Sequence, residues 1–414
     1  MDNMGTHLNW LEEREIEPRW PIAVSGLVNL AVLVAATGII WWVFFSIEGA
    51  FKLYTPLLGF CLVIWTLLII LWQTQFFDFW PLSRGFLKNA HPLSKGGLLT
   101  LITIAVYLVL LFGIVFFIIG KLGITYFNWN SLQQYGELGQ DVVSTRETVS
   151  WAMLCLSIPF FLVSVWFMLG VEKDLFHELG QPKFGLANWL FVTVIAIPLY
   201  VIFFHPHLGS MFYPKQIYTA VPPWWENIAH TNSAEYTVGI LFCSVIGIFL
   251  TLNLWDGWPL NLVKKQPWRF VSFMLGSLVL GYIIFRIQLS IFDYLWDEAY
   301  VGGQNEANFG WRYSHTITMA NFILVIAIIQ DLFFSPAYEK WHAVVRGIVK
   351  TVVAIVVGLI FAWAYYNWGP ALLGVAEGVS HPSENASAFL ILIINILMIQ
   401  DFFMDRWPGY RLKR

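Results

Sequence analysis

Apolar residues run through this chain in long blocks rather than alternating with polar ones. Ten stretches stand out, at about 22–46, 55–77, 97–120, 149–171, 185–204, 236–255, 269–292, 313–334, 345–367 and 386–404. An α-helix rises ~1.5 Å per residue, so roughly 20 apolar residues match the ~30 Å hydrocarbon core of a bilayer. Inside that core a helix satisfies its own backbone hydrogen bonds, which an irregular segment cannot do. The pattern predicts an all-α integral membrane protein of about ten transmembrane helices. Lys350 in the second turn of the ninth stretch blurs its edge, and nine or eleven spans would also fit.

The basic residues set the orientation. Of the 23 Lys and Arg, seventeen fall on the side of the N-terminus, five on the opposite side, and Arg286 inside the seventh helix. Cytoplasmic loops carry such an excess. Both termini are therefore expected on the cytoplasmic side.

The ends of the even-numbered helices repeat. Asp78-Phe79-Trp80-Pro81, Asp256-Gly257-Trp258-Pro259 and Asp405-Arg406-Trp407-Pro408 all read D-x-W-P, and helix four ends in the weaker Lys173-Asp174-Leu175-Phe176 with Pro182 beyond it. Gln73 and Gln400 each stand seven residues before the Trp of their copy. Basic or proline-bearing starts open the next helices, as in Pro92-Leu93-Ser94-Lys95, Gln181-Pro182-Lys183, Gln266-Pro267-Trp268-Arg269 and Pro18-Arg19-Trp20-Pro21. The Trp-Pro positions are separated by 178 and 149 residues, two hairpins per interval. This predicts five tandem two-helix hairpins near 18–90, 91–180, 181–264, 265–341 and 342–414, after an amphipathic cytoplasmic segment over 1–17.

Trp anchors at the interface and Pro ends a helix, so the motif reads first as a stop-and-anchor device. A carboxylate is mildly unfavourable at a helix C-terminus, so each Asp is expected to bond something local. The alternative is a ring of cytoplasmic carboxylates around a binding site. Two-helix units keep one orientation, unlike the inverted repeats of many transporters.

Composition agrees with the membrane reading: 58% of residues are hydrophobic, 12% are charged, and mean hydropathy is +0.66. A soluble domain carries about 25% charge. Aromatics reach 18%, many near the ends of apolar runs. The net charge of −3 gives no reason to expect a nucleic-acid partner. Cys61, Cys155 and Cys243 each lie in an apolar run and read as packed thiols. The first twenty residues lack the positive start and small-residue cleavage site of a removed signal peptide.

Candidate chemistry is sparse. Asn29, Thr66, Ser157, Ser164, Thr193, Ser244, Ser277 and Asn395 lie inside spans, as inter-helix hydrogen-bonders do. Arg286, the one clear intramembrane charge, lies about 25 Å from Arg269 towards the outer face. Around it the outer side gathers Gln288, Asp293, Asp297, Glu298, Arg312, His315, His205, His207, His230, His381 and Glu384. The first reading of this group is solvated interface residues, with Arg286 reaching out to Asp293 or Asp297. A polar pocket at the outer mouth comes second, and a metal or haem site third, because the spacing matches no metal motif. Walker A, G-x-G-x-x-G, H-E-x-x-H and G-x-S-x-G sequences are absent, so no catalytic residue, metal or cofactor is assigned.

Three functional readings remain. The leading one is a membrane-embedded anchor, scaffold or quinone-contacting subunit of a larger, redox-linked complex, with partner subunits or a second copy of the chain beside the lipid bilayer. The alternative is a transporter or channel for a small neutral or amphipathic solute. The third is a membrane enzyme acting on a hydrophobic substrate at the outer face. The cytoplasmic membrane of a bacterium or archaeon is the expected location.

Overall fold

In the computed structural model of the protein, residues 14–82, 84–111, 113, 142–171, 174–176, 178–204, 234–295, 309–374 and 382–413 are described. They contain ten helices long and apolar enough to cross a membrane. The helices are α1 (Ile22–Ile40), α2 (Pro56–Leu71), α3 (Pro92–Leu108), α4 (Val142–Trp166), α5 (Lys183–Phe204), α6 (Ala234–Trp255), α7 (Trp268–Leu295), α8 (Phe309–Tyr338), α9 (Ala343–Leu372) and α10 (Pro382–Met398). The chain is an all-α integral membrane protein with one small exception. The strand β1 (Ile16–Pro18) pairs antiparallel with β2 (Tyr410–Leu412), Glu17 opposite Arg411, so the chain before α1 lies beside the chain after α10.

Helix starts and ends follow local chemistry. Pro56 and Pro92 open α2 and α3, where a missing N–H costs nothing. Several ends widen into a five-residue π turn, at Trp41–Phe45, Trp72–Phe76, Phe167–Val171 and Ile399–Phe403. The three D-x-W-P ends then share one backbone. The Asp and the residue after it both take positive φ, 44° and 62° at Asp78 and Phe79, 52° and 84° at Asp256 and Gly257, and 50° and 56° at Asp405 and Arg406. The second of each pair donates its N–H six residues back, Phe79 to Gln73, Gly257 to Thr251 and Arg406 to Gln400, at 2.8–3.0 Å. This is a left-handed cap widened by one residue, and it satisfies a carbonyl the helix leaves open. A cis Trp-Pro bond follows in all three.

The helices form two concentric rings. In the most apolar stretch of α2, α4, α6, α8 and α10, from 61% to 94% of residues are buried, whereas in each odd-numbered helix the share is 22%. Round the inner ring, α2 packs on α4, α4 on α6, α6 on α8, α8 on α10, and α10 back on α2. The odd helices fill the outer grooves. Helix α3 lies against α2 and the last turn of α10, α5 against α4 and the last turn of α2, and α7 against α6 and the last turn of α4. Helix α9 lies against α8 and α6, and α1 against α8 and α10. The outward faces of the odd helices, such as Leu190, Val194 and Ile197 on α5, are exposed.

Close approach and hydrogen bonds hold the rings together, since lipid tails offer apolar side chains as good an environment as another helix does. A Cβ on Gly185 would run into the Phe77 ring, and one on Gly347 would come within 2.6 Å of Trp255. Trp72 Nε1 donates to Ser164 Oγ across α2 and α4 (2.8 Å), Trp166 Nε1 to Ser277 Oγ across α4 and α7 (2.8 Å), and Trp255 Nε1 to Thr351 Oγ1 across α6 and α9 (3.0 Å). Asn395 Nδ2 reaches the Val63 carbonyl, joining α10 to α2 at 2.8 Å. Of the polar residues expected to bridge helices, Asn29, Ser164, Ser277 and Asn395 do so, whereas Thr66, Ser157, Thr193 and Ser244 bond carbonyls of their own helix. The three cysteines are buried free thiols.

Candidate functional site

The inner ring lines a partly open cavity of about 220 Å³, with residues from all five inner helices. Ile64, Leu67 and Leu71 come from α2, Phe161 from α4, Phe242, Val245, Ile246 and Phe249 from α6, Leu324, Ile328 and Leu332 from α8, and Ile391, Ile394 and Met398 from α10. The polar groups are few: Asn321 at one end, Asn253 and Asp401 at the other. Asn253 donates to the carbonyl of Phe249 on its own helix (2.7 Å). Asn321 is 1% exposed, and its Nδ2 has no hydrogen-bond partner. It is the one lining residue, among those described, with a buried polar atom left unpaired.

A cluster of charges closes the Asp401 end. Arg406 Nε donates to Asp401 Oδ1 at 2.7 Å, and Arg14 Nη2 to the same oxygen at 3.0 Å. Arg14 also reaches Asp405 Oδ1 at 3.2 Å, and Lys95 Nζ pairs with Asp405 Oδ2. Arg406 then donates to the carbonyl of Leu332, a cavity-lining residue, at 2.9 Å. Asn29 Nδ2 takes the Arg406 carbonyl (2.9 Å) and its Oδ1 accepts from Gly409 N (2.8 Å). Three segments far apart in sequence thus share this floor: the residues just before β1, the start of α3 and the end of α10 with the turn after it. Beside it, Lys350 donates to Asp331 (2.8 Å) and to the Asn253 carbonyl (3.1 Å), which accounts for a lysine inside the ninth span.

Two of the three repeated Asp residues, Asp256 and Asp405, pair with distant cations rather than local groups. Asp256 pairs with Arg346, 90 residues on, and Asp405 with Lys95, 310 residues back. The left-handed turn carries the Asp off the axis of its own helix and towards the basic start of the outer helix in the adjoining groove. The macrodipole penalty is thereby met by a cation from another segment. Trp80 and Trp258 are half-exposed at the same ends, beside Pro81 and Pro259, while Trp407 is only partly exposed before Pro408. Two further start residues act alike: Gln181 Nε2 donates to the Phe76 carbonyl and Gln266 Nε2 to the Gly170 carbonyl, both at 2.8 Å.

The sequence-predicted outer cluster is largely outside this picture. Arg286 is exposed on α7 on the same face as Ile283 and Ile287, and Gln288 is half-buried. Asp293, Arg312, His315 and Glu384 lie on α7, α8 and α10, but their side chains are outside the described set. His205, His207, His230, Asp297, Glu298 and His381 are outside the described residues altogether. The cavity itself escaped sequence reasoning because its walls are ordinary Leu, Ile and Phe. Its one signal was the pair of asparagines, Asn253 and Asn321, on even-numbered helices. No protein-family model, curated protein or solved structure matches this chain.

Proposed function

We propose that the chain binds a small neutral or amphipathic molecule in the axial cavity, as a carrier or conduit for such a solute would. The cavity supports this over a purely structural anchor or scaffold. An apolar concavity of about 220 Å³ among otherwise closely packed helices is the kind of site that takes a small apolar molecule, whereas a scaffold has no use for it. Walls this apolar also offer an ion no replacement for its hydration shell.

The proposal includes the orientation. With the positive-inside bias, the D-x-W-P ends, the ion cluster and both termini face the cytoplasm, and the Asn321 end of the cavity faces outward. It also includes the five tandem units, each placing one helix in the inner ring and one in an outer groove. The location is then a bacterial or archaeal cytoplasmic membrane.

Mass spectrometry of molecules extracted from protein purified out of native membranes tests the reading. A small apolar molecule should accompany the wild-type chain in near-stoichiometric amount and be lost from Leu324→Trp, which fills the cavity. Identical extracts from the two proteins would remove the cavity from the account. Stoichiometric protein subunits in the preparation, with no small molecule, would favour the scaffold reading instead.

A further inference from the structure

The cavity is long, and its accessible polar groups gather at one end. From Phe242 to Asn253 on α6, from Asn321 to Leu332 on α8 and from Ile391 to Phe402 through α10 and its last turn, the lining advances eleven residues. At ~1.5 Å per residue that is about 16 Å, half the thickness of the hydrocarbon core. Between the ends the walls are Leu, Ile, Val, Phe and Met side chains, which favour an alkyl chain lying along the axis.

At the Asp401 end a ligand meets an open acceptor. Arg14 and Arg406 both donate to Oδ1 of that carboxylate, at 3.0 and 2.7 Å. Oδ2 accepts no hydrogen bond from a described residue, yet it is not sealed off: the side chain keeps 7% of its surface and lines the cavity. Asn253, half-buried at the same end, spends Nδ2 on the Phe249 carbonyl and leaves Oδ1 without a described donor. The Asn321 Nδ2 atom at the far end is sealed within the surrounding packing and offers an occupant nothing.

An open acceptor calls for a donor, and charge decides which one. Arg14, Arg406 and Lys95 set three cations against Asp401 and Asp405 at this floor. An ammonium headgroup would add a fourth cation, and an anionic headgroup would press its charge on the Asp401 oxygen. Either would also give up hydration for apolar walls. A hydroxyl brings no charge and donates to the carboxylate in a charge-assisted bond.

We infer that the cavity takes an uncharged alkyl alcohol, its hydroxyl donating to Asp401 Oδ2 beside Asn253 and its chain running along the axis towards Asn321. This inference rests on the reading of the cavity as a ligand site. It adds the class of headgroup and the direction in which the molecule lies.

Photoaffinity labelling of the full chain in phosphatidylcholine nanodiscs tests both. Two dodecanol probes are used, one with a diazirine beside the hydroxyl and one with it at the far end of the chain, and captured residues are mapped by mass spectrometry. The first should label Leu332, Met398 or Phe402, and the second Phe242, Asn321 or Leu324. Two competitors lack the donor: tridecane, where a methyl replaces the hydroxyl, and dodecyl methyl ether, which accepts but cannot donate. Unlabelled dodecanol should suppress capture at about one tenth of the membrane concentration that either of these needs, the share of one charge-assisted hydrogen bond. Dodecylamine should compete no better than the ether. Equal competition by alcohol and ether overturns the hydroxyl–Asp401 bond, stronger competition by the amine overturns the uncharged class, and interchanged labelling patterns overturn the direction. Those three results leave the cavity as a site. Capture confined to outward faces such as Leu190 and Val194 overturns the cavity reading itself.

Discussion

Lys95 and Asp405, 310 residues apart, form an ion pair in which both side chains are fully buried. Lys95 is in the first turn of α3 and Asp405 in the turn after α10, so the pair ties an early outer helix to the last inner one and helps to close the ring. Asp405 also holds Arg14. Asp405→Asn strands two cations, while Lys95→Met leaves the carboxylate its arginine. Breaking a buried pair by removing one partner costs about 3–5 kcal/mol. Thermal unfolding in detergent should show Asp405→Asn losing that much and Lys95→Met distinctly less. The reverse order would mean that Asp405 is not the centre of the cluster.

A second pair fixes the open end of the β1–β2 ladder. Glu15 and Lys413 approach to 2.7 Å, and Lys413 N donates to the Glu15 carbonyl. The hydrogen bond and charge of Lys413 hold the Glu15 carboxyl below the usual carboxylate range, and Glu15 in turn holds the Lys413 ammonium above the usual lysine range. A lowered carboxylate pKa gives stabilisation that is present above the unfolded value and lost as pH falls through the folded one. A raised ammonium pKa gives stabilisation that is present below the unfolded value and lost as pH rises through the folded one. Amide protection of β1 and β2 should therefore hold through neutral pH and fall at both extremes. Because the pair is exposed, the effect should be small and weaken with salt. Protection that changes across neutral pH would point to another group.

The outer helices dock through glycine. Gly185 on α5 faces the Phe77 ring at the end of α2, with no room for a Cβ. Gly185→Ala should destabilise by about 1–3 kcal/mol through overpacking, and a second change, Phe77→Leu, should recover part of it. A single variant as stable as wild type would show that α5 does not sit in the groove it occupies here.

Sidedness can be read with cysteine labels, because Cys61, Cys155 and Cys243 are all buried and give little background. Lys52 and Lys264 are both exposed, in the connections after α1 and α6. In intact cells a membrane-impermeant maleimide should label Lys52→Cys and spare Lys264→Cys. Labelling of Lys264→Cys alone would invert the proposed orientation.

The ten helices were legible because a bilayer demands ~20 apolar residues in a row, and the chain states that demand ten times. The D-x-W-P ends were legible too, as recurring Trp-Pro pairs whose common backbone the structure then shows. Which helices are inner was not legible. Mean hydropathy is 2.3 in buried α4 and also 2.3 in lipid-facing α9, because a leucine facing lipid and a leucine facing protein have the same chemistry. Nor could the sequence assign Lys95 to Asp405 or Arg346 to Asp256, since nothing local distinguishes one basic helix start from another. Arg286 stands out in the sequence as a charge within a span, yet the structure puts it on the exposed side of α7. Asn321, a neutral amide, has no such mark, although it lines the cavity with an unpaired polar atom.

A density map of the protein prepared with its native lipids would test the central claim most directly. The account predicts α2 in contact with α10, closing the inner ring, and elongated density on the axis between Asn321 and Leu332 that no side chain explains. An open ring, or an axis filled by the chain's own Leu, Ile and Phe side chains, would contradict it.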